Sequence, residues 1–396
     1  MATEPPALPV GRPPQPRRCR HRAAPRRDGD LRPTDVVSSF FICGIAFLVA
    51  AAVAAIVQAV APWPWGRWLA LHLAFVGGIS QLVLGAGQFF VGAFLATDPP
   101  PRRLVRAQLA AWNLGAIGLA LAIPLDAGTA VWIAVGLRLG LLAGSLLAHG
   151  VPWAQGDLLG AHMSLNLAGW FGGAIVGTLH TFYPSLTQTQ LRHPRLQPLS
   201  FAAWNGGVAA LAIGYAWALD PLAIAGWLAL CLGALALLIN VVASLRGAVR
   251  PLSLAARLVG AAQPFLLAAL VVATTAAIDR GPDEALVGAT RATVGTLLVA
   301  GWIGLTVLGS LLHLLAVVVR VRGGFTARMP DPRPRLDRLV SILAMLAVAA
   351  LALAQKGGPA SLHAPARWLL IAVYAMLALR VARLAGRVLL AARPSI

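Results

Sequence analysis

Charge is scarce in this chain: 11% of its 396 residues are Asp, Glu, Lys or Arg, against 59% that are hydrophobic. A soluble domain carries about a quarter charged residues, so water is excluded as the solvent of most of this surface. Cysteine is nearly absent too. Cys19, Cys43 and Cys231 are the three present, with no CxxC or CxxCH spacing, which excludes a disulfide framework and covalent c-type haem. Missing as well are a Walker loop, a GxGxxG ahead of a soluble helix, HExxH and GxSxG, so the sequence gives no support to soluble-type catalysis.

What is present is a series of long apolar runs. A hydrocarbon core takes about 20 apolar residues as a helix. Strands of a barrel would alternate apolar with polar residues, and runs such as Val36 to Ala61 do not. The fold class read from this is all-α: a polytopic transmembrane helical bundle of about 10–12 helices. Apolar segments fall near 36–61, 67–96, 105–123, 129–148, 159–182, 200–219, 221–245, 255–278, 288–318, 338–355 and 366–390. Residues 1–34, rich in Pro and Arg, read as a disordered basic cytoplasmic tail, and 35–392 as the membrane domain. The first apolar run reads as an anchor rather than a removed signal peptide.

The net charge of +19 could suggest nucleic acid, but its distribution argues for topology. Eight arginines lie in the first 34 residues, and others cluster at Arg102, Arg103 and Arg106, at Arg246, Arg250 and Arg257, and from Arg320 to Arg338. They punctuate apolar runs, as arginine retained on the cytoplasmic side of short loops does. The lipid bilayer is therefore the partner and nucleic acid is not. Both termini are placed in the cytoplasm, in the inner membrane of a cell, with acidic Asp279 to Glu284 and Trp-rich Pro62 to Trp68 outside. One interval conflicts with this scheme. Between Arg106 and Arg192 an even number of crossings is needed, yet three segments are visible, one with Arg138 at its centre. Ten full spans plus one re-entrant or tilted helix resolve the conflict. No internal repeat stands out by eye.

Four histidines fall within the spans: His72, His162, His180 and His313. Ionisable groups in a bilayer face the bundle interior or a cavity and often mark a site, although an interhelical hydrogen bond is the ordinary use of any one of them. At about 100° per residue, His162, Asn166, Gly169, Gly173, Gly177 and His180 share a stripe about 80° wide. Such a stripe suits either close helix packing or a flat group lying on glycines with histidine as axial ligand. His162 and His180 are about 27 Å apart along a helix and cannot bind one metal. Shared depth instead pairs His72 with His162 outside and His180 with His313 inside, so the four histidines are candidate cofactor ligands at two sites, one near each membrane face. The segment holding His313 carries a second stripe, Gly295, Trp302, Thr306, Gly309 and His313, and a stripe of Gly77, Gln81, Gly85, Gln88 and Gly92 lies opposite His72.

The residues Ala161-His-Met-Ser-Leu-Asn-Leu-Ala-Gly-Trp170, with Gly177-Thr-Leu-His-Thr-Phe-Tyr-Pro-Ser185 and His72-Leu-Ala-Phe-Val-Gly-Gly, resemble the membrane domain fused to bacterial copper-type nitrite reductases. More distantly they resemble subunit I of haem-copper oxidases and NnrS-type membrane proteins. That resemblance implies a haem- or copper-binding membrane protein in electron transfer or nitrogen-oxide metabolism, with His72 and His162 as metal ligands and a separate redox partner. The His-x-His and His-His pairs of the oxidase site are absent, which speaks against oxygen reduction. The competing reading is a non-catalytic bundle, a transporter or assembly factor, in which all four histidines pack or line a path.

Overall fold

The computed structural model describes residues 33–95, 101–122, 155–323 and 333–391. Ten helices make up these residues, and no strand occurs among them. The first is α1, Pro33–Val60. α2 runs through Gly66–His72, a π-helical stretch Leu73–Ile79, and Ser80–Leu95. α3 is Arg102–Ala122. α4 comprises Gln155–Met163, a second π stretch Ser164–Gly172, and Gly173–Thr187. Then follow α5, Leu196–Ala216, α6, Asp220–Gly247, and α7, Leu254–Arg280. α8 joins Gly288–Gly295, a third π stretch Thr296–Gly304, and Leu305–Gly323. α9 is Pro334–Gln355 and α10 is His363–Ala391.

Nine of the ten described helices are long and apolar enough to cross a membrane, and the chain is a multi-pass membrane protein. The tenth is α4, whose glycine and polar content sets it apart. The expected segments match these helices one by one, save that 129–148, with Arg138, lies outside the described residues, as does most of the 1–34 tail.

Neighbouring helices run antiparallel, which sorts their ends. Gly207 of α5 sits against Gly226 and Leu230 of α6, and Gly214 against Ala223, so the backbones approach as closely as small-residue contacts allow. Cys231 faces Thr274 across α6 and α7, and Gly309 of α8 faces Ala255 and Val259 of α7. From α4 to α10 this collects Arg192, Arg195, Arg246, Arg257, Arg320, Arg338 and Arg380 at one end of the bundle. The other end holds the acidic residues Asp220, Asp279, Asp283 and Glu284 alongside the basic Arg280, Arg291, Lys356 and Arg367, with Arg280 paired to Glu284 at 3.2 Å; its carboxylates mark it as the acidic end. There Tyr215 of α5 donates to the Pro282 carbonyl at 2.8 Å, and the start of α4 packs on the 3-10 turn Pro282–Leu286.

Two further contacts tie the bundle together. The Arg380 guanidinium pairs with Asp337 of α9 at 2.7 Å and fixes α10 on α9. The stripe opposite His72 splits between two partners. Gly77 and Gly85 abut Phe47 and Phe40 of α1, while Gln81 bonds Asn113 and Gln88 bonds Gln108 of α3. That split is what a central helix packed on two sides requires.

Candidate functional site

The three π stretches are built alike. Passing from i→i+4 to i→i+5 bonding loosens the backbone ladder and turns a carbonyl toward a neighbouring helix, where it can accept a further donor. In α2 the Val76 carbonyl accepts from Trp112 Nε1 of α3 at 2.9 Å. In α4 the Ala168 carbonyl accepts from Trp204 Nε1 of α5 at 2.9 Å. In α8 the Ala300 carbonyl accepts from the Tyr374 hydroxyl of α10.

These acceptors occupy equivalent places in a short repeated motif. Leu167-Ala-Gly-Trp-Phe-Gly172 and Val299-Ala-Gly-Trp-Ile-Gly304 align residue for residue, and Val76-Gly-Gly-Ile-Ser80 follows with Ser80 in the last position. The final glycine of each longer motif lies under the capping ring: a Cβ on Gly172 would stand 2.6 Å from Trp204, and one on Gly304 2.4 Å from the Tyr374 oxygen. The motif tryptophans also act alike. Trp170 donates to Ser80 Oγ at 3.1 Å and Trp302 to Gln263 Oε1 at 3.1 Å. Each set touches the next, with Trp112 stacked 6.2 Å from Trp170 and Trp204 5.9 Å from Trp302. A local motif therefore recurs, carried by Ala-Gly-Trp-Phe/Ile-Gly, a signal too short to emerge against a background this rich in Ala, Gly and Leu.

The π stretches also break the single stripe assumed for α4. An i→i+5 turn advances by a smaller angle per residue than an α turn, so the half after Gly172 is rotated relative to the half before Ser164. Gly169 thus faces Val208 of α5, whereas Gly173 and Gly177 have nothing described within 4 Å. His162 is exposed and His180 is buried, with 2% of its surface accessible.

Each histidine has its own surroundings. His72 is the last residue before the α2 π stretch; its Nδ1 bonds the Trp68 carbonyl at 2.8 Å and its ring stacks on Trp68 at 4.1 Å. A carbonyl only accepts, so Nδ1 carries the proton and the ligating lone pair is on Nε2. His162 stands two residues before the α4 π stretch. The Asn166 amide nitrogen donates to the His162 carbonyl at 2.9 Å and lies 3.3 Å from His162 Nδ1, which accepts and leaves the proton on Nε2.

At the basic end, Asn240 of α6 fixes His180. Its Oδ1 accepts from the His193 amide at 3.0 Å and its Nδ2 donates to the His193 carbonyl at 3.1 Å, which sets the orientation of the amide. The second hydrogen of Nδ2 then points at His180 Nδ1, 3.3 Å away. His180 is accordingly a neutral imidazole with its proton on Nε2, a buried atom without a partner among the described residues. In that tautomer Nε2 donates and does not ligate. His313 meets Phe182 of α4 edge to face, with centroids 5.6 Å apart, so α4 and α8 do place His180 and His313 at one end.

The outer pair is joined through its helices. Phe75 of α2 packs on Phe171 of α4 at 5.1 Å, and Trp170 reaches Ser80. In the register of the repeated motif His72 stands four residues before the Val76 carbonyl and His162 six before that of Ala168. Among the described residues no group of three or more His, Cys, Asp or Glu side chains could hold a metal ion. The chain matches no protein-family model, no curated protein and no solved structure.

Proposed function

We propose that this membrane protein holds a haem or a copper ion near its acidic end through His72, with His162 as second ligand, and acts in electron transfer or nitrogen-oxide metabolism. The observation that carries the reading is the position of both histidines at the entrance to π stretches, on two helices in contact through Phe75, Phe171, Ser80 and Trp170. Such stretches recur at functional sites because they shift a helix face and loosen the backbone ladder. The similarity to nitrite reductase membrane domains points the same way and implies a separate redox partner.

Of the two residues, His72 fits a ligand's requirements directly. The Trp68 carbonyl holds its Nδ1 proton and the Trp68 ring fixes its plane, the support that ligating imidazoles receive from outer partners. His162 fits once its exposed ring turns away from the Asn166 amide. A bound haem or copper supplies a one-electron centre there. His180 and His313 lie outside the proposed site, the first as a packing group. In the same reading the basic end and both termini face the cytoplasm, because arginine is retained on that side.

Visible spectra with haem and copper analysis of the purified protein test this. A Soret band or stoichiometric copper is expected in the wild type, with loss in His72→Ala and His162→Ala and retention in His180→Ala. A colourless, copper-free wild type rejects the reading and leaves the second one, a non-catalytic transporter or assembly factor. What favours that second reading is the lack of any three-ligand cluster among the described residues.

A further inference from the structure

The basic end carries far more positive charge than it can pair. From α4 to α10 the carboxylate described there is Asp337, and Arg380 already holds it at 2.7 Å. Two of the remaining guanidiniums, on different helices, line one groove. Arg257 lies on the first turn of α7 and Arg338 on the second turn of α9, and the groove between them has a volume of about 200 Å³. Arg257 Nε donates to the Leu252 carbonyl at 3.2 Å, which anchors the side chain, and its terminal nitrogens have no partner among the described residues. Arg338 has none either. Ser341 is buried beside it.

The lining changes character with depth. One to two helical turns farther into the bundle it consists of Ala261 on α7 and of Ile342 and Met345 on α9, all apolar. Cationic groups at the interface over an aliphatic cleft directed into the hydrocarbon match one chemistry, a phosphate-bearing headgroup with acyl chains. On the outer face of α6 the arrangement recurs, where Arg246 and His193 stand over Leu235, Ile239 and Val242. We propose that the groove between α7 and α9 is a binding site for a phospholipid with an anionic headgroup, held by Arg257 and Arg338. An anion without acyl chains would leave the apolar floor uncovered.

The test uses the full chain purified in detergent, supplied with phosphatidylglycerol or phosphatidylcholine and read by native mass spectrometry. Near an anionic headgroup each arginine contributes roughly fivefold, so preference for phosphatidylglycerol should fall about thirtyfold in Arg257→Gln/Arg338→Gln. Arg367→Gln, at the opposite end, should keep it. Ala261→Leu leaves both charges in place and fills the floor, and it too should lose the lipid, which keeps the test valid if the double variant fails to fold. Equal retention of the two lipids by the wild type, or unchanged preference in the double variant, overturns the proposal. Displacement of the lipid by millimolar inorganic phosphate also overturns it, since the site would then be one for a free oxyanion.

Discussion

At the basic end of α4 the imidazole of His180 is buried and tied through Asn240 to the backbone of His193, whereas at the acidic end His162 is exposed with Asn166 of its own helix beside it. One helix thus gives the same side chain two environments. At the basic end three elements meet on one amide, and the imidazole adds to the cohesion of α4, α6 and the connection to α5. At the acidic end nothing described on another helix bonds the imidazole of His162, so packing has little claim on it. A polar group held by several partners within a bilayer is part of the fold, and one without them is available for chemistry.

The sharpest break of this comparison is topological. Single cysteines introduced at Thr189, in the basic connection, and at Glu284, in the acidic one, should differ completely toward an impermeant thiol reagent added outside intact cells: Glu284→Cys labels and Thr189→Cys does not. Labelling of the second and not the first would invert the proposed orientation. A large thermodynamic effect is expected at the basic end. Asn240→Ala strands the His193 N–H and carbonyl and should cost about 3 kcal/mol, read as a lower midpoint of thermal unfolding in detergent. An unchanged midpoint would mean that water replaces the amide.

Next is the repeated motif that separates the two ends. Gly172→Ala places a methyl 2.6 Å from the Trp204 ring, and the shift this forces should cost about 2 kcal/mol. The same measurement on Gly173→Ala, where nothing described lies within 4 Å, provides the contrast and should show no loss. Equal loss at both glycines would reject the argument that Gly172 makes room for the ring. The smallest effect belongs to His162→Ala. With one hydrogen-bonding partner on its own helix, its removal should cost about 0.6 kcal/mol or less, and any fall in bound haem or copper would then be a ligand effect rather than unfolding.

Much of the fold was legible in the sequence because hydropathy is a local property. Each apolar run carries its own transfer free energy into lipid, and the arginines that punctuate the runs mark their ends, so the helices around Val36 to Ala61 or Asp220 to Gly247 follow from composition alone. The four histidines within the apolar spans were equally visible. Their division was not, since the stripe on α4 rested on a constant angle per residue and the π stretch Ser164–Gly172 alters that angle. Each π stretch is tied to a neighbouring helix through one carbonyl, here by Trp112, Trp204 and Tyr374, and those residues lie 36 to 74 positions away in the chain. The Arg380 to Asp337 pair depends likewise on α9 and α10 lying side by side. The sequence by itself determined that the chain enters a membrane as helices and where those helices lie, with ends up to five residues from those observed. Tertiary structure alone decided which face each polar group meets, because hydrogen bonds between helices depend on their relative rotation, a quantity that no single helix encodes.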